Sequence, residues 1–119
     1  MRSAGLLSSA LVSAILAASP AMAHVKVVSS APADKSSGAS PAAISIRFSE
    51  ALVPSHSEIR VTNAQGGAIA VTATATKESN EIIVTPAVPL SPGIYRATWS
   101  AAGQSDGHHM SGNISFTVK

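Results

Sequence analysis

Three residues in this sequence have the side chains and the spacing to bind a metal ion. Asp106 and His108 are separated by one glycine, so in an extended segment both side chains point to the same side. His24 follows the small-x-small tripeptide 21–23, a pattern typical of a signal-peptidase cleavage site. Cleavage there gives His24 a free α-amine, and this amine and the imidazole Nδ1 can then chelate one ion. Both nitrogens bind only when neutral.

The combined ligands favour Cu(II). One amine nitrogen, two imidazole nitrogens and one carboxylate oxygen suit a tetragonal Cu(II) ion, which also heads the divalent affinity series. Cu(I) prefers sulfur ligands, but the chain has no cysteine, and Met110 is the one methionine after residue 23. We expect Met110 to pack in the core, and we predict one Cu(II) ion per chain. The alternatives are that Asp106-Gly107 is an ordinary turn and that His24 stands at the cleavage site by chance.

Three further polar residues have less certain roles. Glu50 ends an alternating segment, where its carboxylate is either a surface group, an additional ligand or an acceptor that orients a ligand. His109 points away from His108 if the segment is extended. His56 is expected to be a solvated loop residue. No serine is paired with a base in a nucleophile motif, so the sequence predicts a protein that is not an enzyme.

Residues 1–23 are predicted to be a secretory signal peptide. Arg2 precedes an apolar run over 6–18, which is shorter than the ~20 residues that span a bilayer. The alternative is an uncleaved membrane anchor. We therefore expect a mature domain of residues 24–119 in the bacterial periplasm, with no membrane anchor after cleavage.

The composition of the mature part excludes some classes of partner. Its seven basic and six acidic residues are scattered, and aromatic residues make up 3% of the whole chain. A nucleic-acid-binding surface normally has a basic stripe with stacking aromatic residues, so we expect no nucleic-acid partner. A chain of this length forms one domain, and we expect a monomer.

The elements that must position these residues are β-strands. Past residue 23 the apolar residues recur with a period of two, as in Ile44, Ile46 and Phe48. About seven strands are predicted, over 25–28, 44–48, 59–62, 68–76, 82–85, 95–100 and 114–118. Residues 63–67 read as a hairpin loop, and residues 101–112 as a long polar loop that carries the Asp/His ligands. Short strands at this spacing indicate an all-β sandwich.

These segments resemble the CopC/PcoC copper-resistance family over nearly all of residues 24–119. The resemblance rests on His24 together with four motifs, none of which is specific alone. The motifs are Val27-Val28-Ser29-Ser30-Ala31-Pro32, Ile46-Arg47-Phe48-Ser49-Glu50, Pro89-Leu90-Ser91-Pro92-Gly93-Ile94-Tyr95, and Ser105-Asp106-Gly107-His108 with Ser111-Gly112.

The resemblance implies an Ig-like, cupredoxin-like Greek-key β-sandwich that carries or buffers copper in copper resistance or homeostasis. It implies a Cu(II) site formed by the His24 amine and imidazole, Asp106 and His108, with Glu50 as a less secure ligand. It also implies a CopD-type inner-membrane protein as a partner that accepts the copper. Some relatives have a methionine-rich Cu(I) loop in mid-chain, and this sequence has no methionine over 63–76, which indicates the Cu(II)-only type. His109 stands where many relatives have proline.

Two other functions are compatible with parts of the pattern. An amino-terminal histidine with a second histidine is also the copper brace of polysaccharide monooxygenases, which need a flat aromatic surface. Here the alternation places the aromatic residues in the core instead, namely Phe48, Tyr95, Trp99 and Phe116. The other alternative is a metal-free Ig-like structural or adhesion domain.

Overall fold

The period-two alternation of the sequence produces strands, because successive side chains of an extended chain point to opposite faces. The computed structural model describes residues 24–74, 76 and 78–119. The described residues form nine strands and one 3₁₀ turn, Pro54–His56. The strands are β1 Val27–Ala31, β2 Ser36–Gly38, β3 Ile44–Phe48, β4 Glu58–Asn63, β5 Ala68–Ile69, β6 Val71–Thr74, β7 Glu81–Pro86, β8 Gly93–Ala102 and β9 His109–Val118.

The strands form two sheets that pack as a sandwich, which confirms the predicted all-β fold. One sheet has four strands in the order β1-β3-β7-β6, and the other has five in the order β2-β9-β8-β4-β5. All neighbours are antiparallel except β2 and β9, which are parallel. The longest pairing joins β8 to β9, from Gly93 opposite Val118 to Ala102 opposite His109.

The core lies between the two sheets and contains the aromatic residues, as predicted. Phe48 of β3 is fully buried and packs edge-on against Trp99 of β8, with ring centroids 5.1 Å apart. Tyr95 stacks on Phe116 at 5.7 Å. Met110 is half-buried and packs against this core, also as predicted. Removal of such side chains from water is the main source of stability, because no disulfide contributes.

The segment 68–76 differs from the prediction of a single strand. Ala68–Ile69 pairs with β4 in one sheet, whereas Val71–Thr74 pairs with β7 in the other. The chain therefore crosses between the sheets at Ala70, whose carbonyl accepts a hydrogen bond from Ala87 N–H. Alternation continues through such a crossing, so the sequence does not mark it. The three-residue strand β2 was also not predicted, because it is too short for a pattern.

The loop that carries Asp106 and His108 is shorter than the predicted segment 101–112. Strand β8 continues to Ala102 and β9 begins at His109, so the loop is Gly103–His108. The sequence 109–112 has no apolar alternation, but it continues the ladder with β8. At Gly112 the missing side chain admits Trp99, since a Cβ there would lie 2.8 Å from Trp99 Cζ2.

The predicted signal peptide, residues 1–23, lies outside the described residues. Within the residues described, no helix has the length and the apolar character to cross a membrane.

Candidate metal centre

The structure brings two of the predicted ligands together at one end of the sandwich. His24 lies just before β1, and His108 is the last loop residue before β9. Their imidazole centroids are 5.7 Å apart, with the rings at 62° to one another. Residues from the two ends of the domain therefore meet at one place, which is the condition that a shared ion requires.

The segment that carries His24 is fixed to the end of β3. Val25 is buried and anchors this segment in the core. The backbone N–H of Lys26 donates to Ser49 Oγ at 3.0 Å, and Ser49 N–H donates to the Lys26 carbonyl at 2.8 Å. Ser49 Oγ also donates to the His24 carbonyl at 3.4 Å. His24 is thus held by backbone contacts that leave its imidazole half-exposed.

The loop Gly103–His108 is closed by its own hydrogen bonds. Gly107 N–H donates to the Gly103 carbonyl at 2.8 Å, and Gly103 N–H donates to the His108 carbonyl at 3.3 Å. Asp106 Oδ1 accepts the His108 N–H at 2.9 Å. Gly107 has φ +68°, in the left-handed region that glycine adopts without strain. Asp106-Gly107 is therefore a turn, and this turn presents His108 to His24.

Glu50 lies beneath this loop. It is half-buried, and its Oε1 accepts a hydrogen bond from Ser105 Oγ at 3.0 Å. The carboxylate also lies directly against Gly103, where a Cβ atom would collide with Oε1. Gln104 N–H donates to the Ala51 carbonyl at 2.9 Å and adds a second link between these segments. The role supported by these contacts is to hold the loop in place.

The four predicted ligands do not converge fully. Among residues 24–74, 76 and 78–119, no three His, Asp or Glu side chains are close enough together to hold one ion. The Asp106 carboxylate is exposed and engaged with its own loop. In the unprocessed chain the His24 nitrogen is part of the peptide bond to Ala23, so the chelating amine is absent. The structure thus brings together the two imidazoles, and the roles of His24, His108, Asp106 and Glu50 as ligands stay predictions.

A second pair of histidines lies apart from His24 and His108. His109 points away from His108, as expected for consecutive extended residues, and its ring stacks on His56 with centroids 5.9 Å apart. His56 is exposed, as predicted, but it ends a 3₁₀ turn rather than lying in an irregular loop. No pattern in the sequence indicates this pairing, because the two residues come from separate elements.

The chain is similar to copper resistance proteins over most of its length. A sequence profile of the CopC domain matches residues 27–119, so His24 lies just outside the match. Copper resistance protein C of Xanthomonas campestris pv. juglandis is 39% identical over 116 residues, which cover 92% of this chain and 91% of that protein. Copper resistance protein C of Pseudomonas syringae pv. tomato is 38% identical over 123 residues, covering 98% and 90%.

The fold is also that of a solved copper resistance protein. The crystal structure of PcoC, a methionine-rich copper resistance protein from Escherichia coli, matches with a TM-score of 0.75 and 31% sequence identity. The match covers 82% of this chain and 100% of that one. The present chain differs in composition, since its methionines are limited to Met1, Met22 and Met110.

Proposed function

Because the chain belongs to the CopC family of copper resistance proteins, we propose that it is an exported Cu(II) carrier or buffer. Membership of this family implies copper binding and assigns the chain to copper resistance proteins rather than enzymes. The finer proposal is that one ion binds to the amine and imidazole of processed His24, to His108 and to Asp106. Glu50 holds the loop from below and is a less secure ligand.

The observation that carries this proposal is the 5.7 Å approach of the His24 and His108 rings. Metal–imidazole bonds of about 2.0–2.1 Å permit two rings at this separation to share one ion after small side-chain rotations. Both side chains have room for such rotations, since His108 is exposed and His24 half-exposed. Removal of residues 1–23 then adds the amine at the point where the imidazoles already meet.

The chemistry of the donors supports Cu(II) over Cu(I). Nitrogen and carboxylate ligands suit Cu(II), whereas Cu(I) is selected by thiolate and thioether sulfur. The chain has no cysteine, and the sulfur of Met110 belongs to a half-buried side chain packed on the core. We therefore propose a single oxidation state for the bound ion, in contrast to a methionine-rich copper protein.

The exposure of the ligands suits copper as a cargo. A resident cofactor is usually enclosed, but Asp106 and His108 lie on an exposed loop at the end of the sandwich. A partner can therefore approach the ion directly. By family resemblance, we propose that this partner is a CopD-type inner-membrane protein and that the exchange takes place in the periplasm.

The experiment that tests the chelate compares two forms of the exported protein that differ by one residue. One form begins at His24, and the other retains Ala23; mass spectrometry verifies both first residues. We expect the longer form to lose about 100-fold or more in Cu(II) affinity, because it loses one of two linked nitrogen donors. EPR of the shorter form should give a nitrogen-rich tetragonal Cu(II) signal. Equal Cu(II) affinity in the two forms would show that the amine is not a ligand.

The histidine-brace monooxygenase is the weaker candidate. Such an enzyme needs exposed aromatic side chains to bind a polysaccharide, but Phe48, Tyr95, Trp99 and Phe116 are all buried in the sandwich. No observation on the described residues favours this activity over copper carriage.

A further inference from the structure

All four histidines of the chain lie in two pairs. The His24–His108 pair belongs to the proposed copper site. The second pair, His56 and His109, has ring centroids 5.9 Å apart and ring planes at 29° to one another. Two imidazoles side by side on a surface offer two nitrogen lone pairs, which is the usual start of a transition-metal site.

The two rings are placed by a rigid frame of backbone contacts. Ala102 is the ladder partner of His109 at the start of β9. Ala102 N–H donates to Ser57 Oγ at 3.1 Å, and its carbonyl accepts the Val53 N–H at 2.8 Å. Ser57 Oγ donates in turn to the Val53 carbonyl at 2.8 Å. These bonds fix the 3₁₀ turn that carries His56 against the end of β8. Because the end of β8 pairs with His109, the fold holds the two histidines side by side.

The surroundings of the pair are open and polar. A surface depression of about 290 Å³ is lined by Ser55, His56, Ser57, Glu58, Ser100 and His109. Within the part of the chain that the structure describes, neither imidazole takes part in a hydrogen bond. Glu58 is bonded to Arg60, with Oε2 accepting from Nε at 3.0 Å. A bound ion can therefore complete its coordination with water.

The ring separation fits a shared ion. An ion bonded to one nitrogen of each ring at about 2.0–2.1 Å holds the ring centroids roughly 4.5–6.3 Å apart. The observed 5.9 Å lies within this range. The nearly parallel rings must turn to aim their lone pairs at one point, and both side chains are exposed and free to change rotamer.

We propose that His56 and His109 form a second, weaker site for an imidazole-binding divalent metal ion, with Cu(II) the preferred ion. With two protein ligands and no amine chelate, it binds less tightly than the proposed His24 site. Because His108 and His109 are consecutive, the two sites lie on opposite sides of the chain at the start of β9. The second site does not require cleavage before His24, so it is independent of the proposed function.

The test uses the exported protein with His24→Ala and His108→Ala, which removes the first pair. Cu(II) alone is added while the ring-proton NMR signals of His56 and His109 are followed, because the paramagnetic ion broadens the signals of protons close to it and so shows where it binds. We expect both rings to broaden at the same copper concentration. Adding His56→Ala should remove the broadening of His109 at that concentration and weaken Cu(II) binding about 100-fold, because one of two linked ligands is lost.

The control is Val88→Ala in the same background, because Val88 is exposed, lies outside the lining of this depression and leaves both imidazoles in place. This variant should bind Cu(II) as its parent does. The proposal is overturned if a single ring broadens, or if His56→Ala leaves the Cu(II) affinity and the His109 broadening unchanged. The wild-type protein, titrated in parallel, reports the His24 site separately, so failure of one site is distinguishable from failure of the other.

Discussion

Asp106 connects the shape of its loop with the chemistry proposed for it. Its Oδ1 accepts the His108 N–H, which fixes the turn, while the side chain stays exposed next to a proposed copper ligand. A turn residue needs a hydrogen-bond acceptor, whereas a Cu(II) ligand in this position needs a carboxylate. These two requirements can be separated by substitution, because asparagine retains the acceptor and loses the charge.

We predict that Asp106→Asn weakens Cu(II) binding at least about tenfold while it preserves the loop, because a neutral amide oxygen is a poorer ligand than a carboxylate. Competitive Cu(II) titration measures the affinity, and hydrogen exchange of the His108 amide reports on the loop. Asp106→Ala is the comparison variant that removes both functions. Wild-type affinity in Asp106→Asn together with weak binding in Asp106→Ala would restrict Asp106 to a structural role.

At the scale of the element, the loop Gly103–His108 is positioned from below by the end of β3. The Glu50 carboxylate lies against Gly103 and bonds to Ser105, so its side chain fills the space that a residue larger than glycine would need. Val25 borders the same point, since a Cβ on Gly103 would lie 3.2 Å from its Cγ2. One close contact therefore links the His24 segment, β3 and the Asp/His loop.

We predict that Gly103→Ala lowers the free energy of unfolding by about 1–3 kcal/mol, the usual cost of overpacking. It should also weaken Cu(II) binding, because the loop must move to relieve the clash. Urea denaturation measures the first effect. Gly38→Ala is the matched control, since a Cβ at Gly38 meets no atom within 4 Å.

A double-mutant cycle identifies the contact responsible. Glu50→Ala removes the side chain that the new methyl group meets, so the cost of Gly103→Ala should fall in that background. If the losses in free energy of unfolding from the two substitutions simply add, Glu50 does not restrict the loop.

For the whole molecule, stability depends on the core between the two sheets. The chain has no cysteine, and Ile44, Ile46 and Phe48 of β3 have no exposed surface. The proposed site is formed from segments that leave this core, so its geometry depends on how rigidly the core is packed. The free energy of unfolding of a domain of this size is roughly 5–15 kcal/mol, so the cost of truncating one core side chain is a large fraction of the total.

We predict that Ile46→Ala lowers the free energy of unfolding by about 2–5 kcal/mol, because it removes buried surface and leaves a cavity. Fluorescence of Trp99, the single tryptophan of the chain, follows the transition during urea denaturation. Val88→Ala is the control, because Val88 is 66% exposed and surface changes usually cost less than about 0.5 kcal/mol. Similar losses in the two variants would contradict the assignment of Ile46 to the core.

The fold was largely predictable, because a strand with one buried face requires apolar and polar residues to alternate along the sequence. The alternation of Ile44, Ile46 and Phe48 is a direct result of side chains pointing to opposite faces, and it identified the buried side of β3 correctly. The alternation did not identify the crossing at Ala70 or the extension of β8 and β9 into the polar loop. In both places the backbone pairing decides the structure, and the side chains carry little pattern.

The sequence by itself determined which side chains are available to bind a metal ion, the absence of thiol chemistry and the all-β class, since these depend on residue identity and local geometry. Tertiary structure alone decided which histidines meet. His24 faces His108, and His109 faces His56, because strand register and the turns at the sheet ends bring these distant segments side by side. Such neighbours depend on the packing of whole elements, and no local period in the chain encodes them.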